Sequence, residues 1–275
     1  MVGDRGDTRL EEVAAELNPV MAAALVDLLR EANARVVSAA RHHVAELDAP
    51  SMLAGWSRLM VLAHLRYVAS AMRRITTAAL VGRSESMYPG GRANLRPKTI
   101  VPAVGESAEA LVASLDDETT MLDDLWQSLS IQDWQRRIDE PDHGTMPLSK
   151  LLVLRLTETE VHGSDLGFAG LDAWDELFVE VTLPLRLAWL DRPDTDHSVV
   201  GSWILSDAAE QWLVVAEDGD ARAYHADADT RADCRLTASR RDLLALLLGR
   251  PTIGTMERSG DIGLANAFKQ AFPGP

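Results

Sequence analysis

Residues 147–167 read PLSKLLVLRLTETEVHGSDLG, and this stretch decides the fold predicted for the first part of the chain. Leucine and valine recur there with the period of an amphipathic helix. Pro147 suits the first turn of a helix, and Gly167 follows the last periodic residue, where a glycine commonly ends one. The pattern predicts a long helix over Pro147–Leu166.

Three earlier segments have the same helical period and a similar length: Asn18–Leu47, Ser57–Val81 and Glu106–Leu129. Four long amphipathic helices in succession are typical of a four-helix bundle, in which each helix buries its apolar stripe against the others. We therefore predict an all-helical domain over residues 1–170. The connection over residues 82–105 is rich in glycine and proline, and a loop of that length commonly covers a site.

The rest of the chain has a different pattern. Ala173–Leu190 predicts a fifth helix that Pro184 interrupts or kinks. Short runs of alternating character predict an antiparallel sheet with hairpins; they are Val199–Ile204, Gln211–Ala216, Ala221–His225 and Ala232–Leu236. Two further helices are predicted at Arg240–Leu248 and Ile262–Ala271. The fold class is therefore α+β, with a smaller α+β domain over residues 171–275 and a boundary between residues 168 and 195.

Composition excludes several classes of protein. Of the 275 residues, 42 are acidic and 27 basic, which gives a net charge of −15. A protein that follows nucleic-acid phosphates is normally basic, so that class is excluded, and there is no apolar run long enough to cross a membrane. The polar N-terminus, Met1–Glu16, lacks the features of a signal peptide, so we expect a cytoplasmic protein.

The chain has one cysteine, Cys234, which excludes a disulfide framework. Cys234 alternates with charged residues, and we expect it to be a small buried side chain. Any thiol used for chemistry would then come from a small molecule.

Glu158 and His162 are four residues apart, so they lie on one face of the fourth predicted helix, whereas Glu160 lies on the opposite side. His64 stands in the apolar stretch of the second predicted helix. It is either a core histidine satisfied by a hydrogen bond or a third member of a metal site between helices. Two histidines and one carboxylate leave coordination positions open, as catalytic sites require, and they suit zinc or ferrous iron.

The remaining histidines have no partner at a useful spacing; they are His42, His43, His143, His197 and His225. We interpret His42 and His43 as surface or structural side chains. The sequence contains no nucleophile elbow, phosphate-binding loop or dinucleotide fingerprint.

Three stretches resemble the mycothiol-dependent maleylpyruvate isomerase family. The first is SMLAGWSR at residues 51–58, followed by His64. The second is Met87-Tyr88-Pro89 with Arg92, and the third is RLTETEVHGSDLG at residues 155–167. Gly249-Arg250, followed by Gly260-Asp261, resembles the second domain of that family less distinctly.

The resemblance implies that the first domain is a DinB-like four-helix bundle that binds zinc through His64, Glu158 and His162. It also implies that mycothiol, the small thiol of actinobacteria, is the cosubstrate and that zinc holds its sulfur as a thiolate. A source with a GC-rich genome agrees with the 24 arginines against 3 lysines.

The resemblance also suggests catalytic residues. An anionic substrate needs cationic partners, for which Arg250 is the first candidate and Arg92 the second. Tyr88 would orient the substrate or cover the bundle. Asp165 would be the hydrogen-bond partner of His162 or a charge at the helix end.

Two positions depart from the family pattern. Arg66-Tyr67-Val68 follows Leu65 where the family has a small residue and then Arg-Asn, and Thr159 replaces a valine. The predicted metal ligands themselves are unchanged. We would expect unchanged ligands together with these two departures in a relative that adds mycothiol to a different electrophile.

We therefore expect a zinc-dependent enzyme that adds mycothiol to an electrophilic carbon of a small molecule. It would act as a mycothiol S-transferase, a thiol-exchange enzyme or a maleylpyruvate-type cis–trans isomerase, as a monomer or small homo-oligomer. The alternatives are a non-catalytic thiol- or metal-binding module and a metal-dependent hydrolase, which would need a general base near the metal.

Overall fold

The computed structural model describes residues 19–140, 144–190, 195–196, 198–217 and 219–273. Contacts divide the chain into two compact units, a first unit of Leu17–Ala173 and a second unit that includes Trp174–Pro275. The N-terminal segment Met1–Glu16 and two of the histidines, His143 and His197, lie outside the described residues.

The first unit is built on four long helices, as the sequence predicts. They are α1 Pro19–His42, α2 Arg58–Leu80, α4 Ala108–Gln127 and α6 Lys150–Asp165. Helix α4 packs against α1 and α2, and α6 packs against the same two helices. The bundle buries Leu25, Leu62, Leu65 and Trp126 at its centre, where the Trp126 indole donates to Thr76 Oγ1 at 2.9 Å. The predicted four-helix bundle is therefore confirmed.

Hydrogen bonds at the helix ends explain several boundaries. The Ser57 side chain accepts from the amide of Met60 and begins α2, which is the predicted cap. Helix α1 ends at His42 rather than at Leu47. The segment after it turns back to meet the start of α2, where the amide of Leu59 donates to the carbonyl of Leu47.

Two elements of the first unit differ from the prediction. Pro147 does not open α6; it ends strand β2 Gly144–Pro147, which pairs with β1 Arg137–Glu140. The following residue, Leu148, donates to the carbonyl of Arg136, so this hairpin delays the helix. Helix α5 is a single turn, Ile131–Trp134.

The long connection over residues 82–105 contains a helix that the sequence pattern did not reveal. Helix α3 spans Arg92–Thr99 and includes Pro97. A proline in a short polar segment after two glycines reads as a loop, which explains the missed helix.

The second unit is a five-stranded sheet with three helices. The strands are β3 Gly201–Ser206, β4 Gln211–Glu217, β5 Asp220–His225, β6 Cys234–Thr237 and β7 Glu257–Gly260. Their order is β5-β4-β3-β6-β7, and neighbours are antiparallel except for β3 and β6. The helices are α7 Glu176–Ala188, α8 Arg240–Leu247 and α9 Ile262–Ala271. The α+β class is thereby confirmed.

Side chains from both the sheet and the helices form the core of the second unit. Trp203 of β3 packs edge-on against Phe268 of α9, and its indole donates to the carbonyl of Leu264 at 3.0 Å. Cys234 is buried, and this burial raises the pKa of its thiol to about 11. Helix α7 continues through Pro184 without interruption. Among the described residues, no helix has the length and apolar character to cross a bilayer.

Candidate metal centre

Helices α2 and α6 bring three ligand-type side chains together inside the bundle. His64 of α2 lies opposite Glu158 and His162, which are one turn apart on α6. Glu158 Oε2 lies 2.9 Å from His64 Nε2 and 3.3 Å from His162 Nε2. The three side chains offer ligand atoms that all lie within 4.8 Å of one another. Within the described ranges, this is the one cluster of three or more histidine, cysteine or acidic residues that could hold a metal ion.

The donor set fits zinc. Two imidazole nitrogens and one carboxylate oxygen converge on one point, and three protein ligands leave a position for a substrate atom. His162 Nδ1 lies 2.8 Å from Asp165 Oδ2, so the buried carboxylate of Asp165 orients the ring and directs Nε2 to the cluster. His64 differs, because its Nδ1 is buried and has no hydrogen-bond partner among the described residues.

The protonation of the cluster follows from this packing. Burial would raise the pKa of Glu158, but the two histidines outweigh it and hold that pKa well below its usual range. Burial also opposes a charge on His162, yet hydrogen bonds to Asp165 and Glu158 raise its pKa to about 9. Burial lowers the pKa of His64. At neutral pH and without metal, His162 is therefore protonated and pairs with the ionised Glu158, so a bound metal ion would displace that proton from the cluster.

Glu160, the other acid in this part of α6, faces away from the cluster. Its carboxylate pairs with Arg35 of α1 at 2.6 Å. Glu160 is therefore not placed to act as a general base at the cluster, which a hydrolase of this site would need.

Trp56, which precedes α2, and side chains of the long connection lie beside the cluster. The ring of Trp56 stacks on His162, with centroids 6.4 Å apart and planes at 10°. The Arg96 guanidinium of α3 lies 5.6 Å from the centroid of Trp56. Burial raises the pKa of Tyr88, and the positive charges of Arg92 and Arg96 act in the opposite direction. Arg92, one turn earlier, lies 5.6 Å from the ring of the buried Tyr88. The structure thus places Tyr88, Arg92 and Arg96 in one layer of side chains. This layer covers the side of the cluster on which Trp56 lies.

Arg250 lies in the second unit, after α8, where its guanidinium donates to the carbonyl of Leu248 at 2.7 Å. Of the other histidines, His42 and His225 are exposed, and His43 stacks on Phe168 at 4.2 Å. These positions agree with the surface or structural interpretation of His42 and His43.

Sequence reasoning missed two residues of this layer, Trp56 and Arg96. Trp56 lies in the SMLAGWSR stretch, where no spacing indicates a role for its ring. Arg96 follows Arg92 by four residues. This spacing places both on one face of a helix, but only if the segment is helical, which its sequence does not indicate.

A buried polar network lies one turn below the cluster. Arg155 is fully buried and donates to the carbonyl of Leu65 at 2.9 Å and to Asn33 Oδ1 at 3.2 Å. The Asn33 amide in turn donates to both oxygens of Asp123, and the Thr159 hydroxyl donates to Asn33. Burial lowers the pKa of Arg155 to about 10, and burial raises the pKa of Asp123 to about 6.

The end of α6 is also fixed to the start of α2. Arg58 Nε donates to the carbonyl of Leu166 at 2.8 Å, and its guanidinium lies over Phe168. The amide of Met52 donates to the carbonyl of Asp165 at 2.8 Å. These contacts set the relative position of the two helices that carry the cluster.

Comparison with known proteins agrees with this architecture. The family model described as the mycothiol maleylpyruvate isomerase N-terminal domain matches residues 26–167, and the SCP-2 sterol transfer family model matches residues 197–273. No curated protein sequence matches the chain significantly.

Two solved structures have a similar fold over most of the chain. They are crystal structures of the mycothiol-dependent maleylpyruvate isomerase and of a mutant of that enzyme, with TM-scores of 0.68 and 0.69. Both are 19% identical to this chain and cover 92% of it and 95% of their own length. At this identity the likeness is one of fold.

Proposed function

Because the chain belongs to the mycothiol maleylpyruvate isomerase N-terminal domain family, we propose that it is a zinc-dependent enzyme that uses mycothiol as cosubstrate. The thiol adds, as a thiolate, to an electrophilic carbon of a small molecule. The observation that carries this proposal is the convergence of His64, Glu158 and His162 inside the bundle.

The chain supplies a prearranged ligand set. His64 and His162 present Nε2, and Glu158 presents an ionised carboxylate between them. Bound zinc would lower the pKa of a thiol there, so that the thiolate predominates at neutral pH. Asp165 holds the His162 ring in place, and Trp56 stacks on that ring and shields it from water.

The arginines near the cluster suit an anionic electrophile. Arg92 and Arg96 lie on one face of α3, and Arg96 has no carboxylate partner among the described residues. A guanidinium without an acidic partner favours a carboxylate brought by the substrate. Tyr88, whose ring lies 5.6 Å from the Arg92 guanidinium, would orient that group, and Arg250 stays a candidate for the same role.

Two outcomes share the first step. Addition of the thiolate to a cis double bond leaves a single bond, about which the product rotates before elimination returns the trans isomer and the free thiol. In a transferase the conjugate is released instead and one thiol is consumed for each turnover. Arg66 and Tyr67, which depart from the family pattern one turn beyond His64, are compatible with either outcome.

The decisive experiment measures zinc by plasma mass spectrometry in the wild type and in Glu158→Gln, with Glu160→Gln as the control on the opposite face of the same helix. We expect about one zinc per chain in the wild type and in the control, and loss of the metal in Glu158→Gln.

Mycothiol and maleylpyruvate are then supplied to the zinc form. Recovery of thiol with a trans product would indicate an isomerase, and loss of thiol would indicate a transferase. A wild type that stays metal-free after zinc is supplied would overturn the thiolate mechanism.

A further inference from the structure

A groove with a volume of about 370 Å³ lies beside α2 in the first unit. One wall is a stripe of α2 formed by Ala63, Arg66, Tyr67 and Ser70. The end of α3 and the segment after it form the opposite wall, and α4 closes the third side. A volume of this size lies within the range of pockets that hold small ligands.

The groove lies on a different face of α2 from the metal centre. At about 100° per residue, the four residues of the stripe are centred roughly 110° round the helix from His64. Tyr67 is the stripe residue nearest to His64, and its ring stacks on Tyr88 with centroids 5.5 Å apart and planes at 19°. Tyr88 belongs to the layer of side chains beside the cluster. The two aromatic rings therefore separate the groove from the metal centre.

Two of the three charged side chains that line the groove are already paired. Both terminal nitrogens of Arg66 donate to the Glu106 carboxylate, and the Glu118 carboxylate accepts from Arg73 at 3.1 Å. The third is Lys98, which is exposed and has no hydrogen bond or ion pair among the described residues. The lining therefore keeps one uncompensated positive charge.

The wall that carries Lys98 is positive, although the net charge of the whole chain is −15. No acidic residue occurs between Glu85 and Glu106. The charged residues of that segment are Arg92, Arg96 and Lys98. A local group of positive charges on an acidic protein concentrates anions at that place. The charge of the groove therefore favours a ligand that carries a negative charge.

The groove also offers hydroxyl groups and an apolar surface. The Ser70 and Ser114 side chains have no hydrogen bond among the described residues, so both hydroxyls can donate to a carboxylate. The Tyr67 ring and the side chains of Val101 and Pro102 supply the apolar surface. An inorganic anion would leave that surface unused. The lining thus matches a ligand with one negative charge on an apolar body.

We propose that this groove binds a small organic monocarboxylate with an apolar body. The carboxylate pairs with the Lys98 ammonium and accepts from the two serine hydroxyls, while the body packs against Tyr67 and Val101. The ligand contacts both α2 and the end of α3. Because α3 has no buried residue, this ligand holds α3 in place. The site is separate from the proposed thiol chemistry and does not depend on it.

The test measures the binding of para-fluorobenzoate to the full chain by fluorine NMR, with para-fluorobenzamide as the matched neutral probe. Lys98→Met removes the unpaired cation, and Arg83→Met removes a cation from an exposed position of the same connection, outside the groove. Ser70→Trp fills the groove, and Thr77→Trp places the same ring at an exposed position of α2 outside it. Circular dichroism checks the fold of each variant.

We expect the wild type to bind the benzoate about fivefold more tightly than the benzamide, which is the upper end for an exposed ion pair. Lys98→Met should weaken the benzoate to the level of the benzamide and leave the benzamide unchanged. Ser70→Trp should weaken both probes by at least about tenfold, whereas both control variants should bind as the wild type does. Amide hydrogen exchange over Arg92–Thr99 should slow when the benzoate is bound.

The proposal fails if the wild type binds neither probe, or if it binds both equally well. It also fails if Lys98→Met and Ser70→Trp leave benzoate binding unchanged. Loss of benzoate binding in Arg96→Gln but not in Lys98→Met would place the anion in the layer beside the metal centre instead. Glu158→Gln should bind the benzoate as the wild type does, so this result is independent of the zinc experiment.

Discussion

The Arg155 guanidinium of α6 donates a 2.9 Å hydrogen bond to the carbonyl of Leu65, the residue that follows His64 on α2. One buried cation thus joins the helix that carries Glu158 and His162 to the helix that carries His64. Its charge lies in the field of Asp123 and Glu158, which raise its pKa against the larger lowering effect of burial. The polar network below the cluster therefore fixes the spacing of its three side chains.

Removing this cation should destabilise the bundle. Arg155→Met leaves the carbonyl of Leu65 and Oδ1 of Asn33 without their buried donor and removes the positive charge that acts on Asp123. We therefore expect a loss of roughly 3–5 kcal/mol in the free energy of unfolding. Urea denaturation of the metal-free protein measures it. Arg30→Met, at a salt bridge with both side chains exposed, should cost at most about 1 kcal/mol. Equal losses in the two variants would contradict the role given to Arg155.

Asp165 should control zinc affinity without being a ligand. Asp165→Asn keeps the shape of the side chain but weakens the hydrogen bond that orients His162, and we expect roughly 10–100-fold weaker zinc binding. Competition with a chromophoric chelator measures the affinity. Glu160→Gln removes a buried carboxylate from the same helix without touching His162, so its affinity should match the wild type. An unchanged affinity in Asp165→Asn would show that the His162 ring is held by other contacts.

Arg96 should contribute to binding of the electrophile. A charged hydrogen bond to a substrate carboxylate is worth about 1.5–3 kcal/mol, so Arg96→Gln should raise the KM for an anionic electrophile by roughly 10–100-fold. Steady-state kinetics at saturating mycothiol would show this, with zinc content unchanged. Arg83→Gln, at an exposed position before α3, is the matched control. A fall in kcat at constant KM would place Arg96 in a different role.

The stability of the bundle should depend on the ionisation of Asp123. Burial raises its pKa from 3.8 to about 6, so the folded state holds this proton more tightly than the unfolded state does. The contribution of this carboxyl to stability is then greatest below about pH 4 and declines as the pH rises through about 6.

We expect the unfolding free energy of the wild type minus that of Asp123→Asn to fall by about 3 kcal/mol between about pH 4 and about pH 7. Urea titrations of both proteins at several pH values give this difference. Because the other ionisable groups are common to both proteins, their effects cancel. A difference that rises with pH would show that Asp123 is stabilised as an anion.

Local patterns in the sequence predict much of this protein. The helical period predicts the four bundle helices, and the spacing of Glu158 and His162 places both on one face of α6. His64 could only be a candidate from the sequence, since the contact between α2 and α6 is set by packing. The family resemblance selected the same three residues.

Other features depend on distant partners and could not be predicted. Arg155 reads as an ordinary helix residue, and only the packed bundle shows that it contacts Leu65 and Asn33. Pro97 makes the segment of helix α3 resemble a loop. The position of Arg96 on a helix could therefore not be predicted either. The parallel pairing of β3 with β6 likewise depends on how the chain crosses the sheet, which alternation of residue types does not encode.

His64 and Glu158 are separated by 94 residues along the chain. During synthesis at about 5–20 residues per second, His64 emerges roughly 5–20 s before Glu158, and His162 follows to complete the cluster. On the proposed function, zinc would therefore bind only after the last helix of the bundle has been made and has docked. A ligand stabilises only the state that binds it. The metal would therefore stabilise the completed domain and would not stabilise incomplete nascent chains.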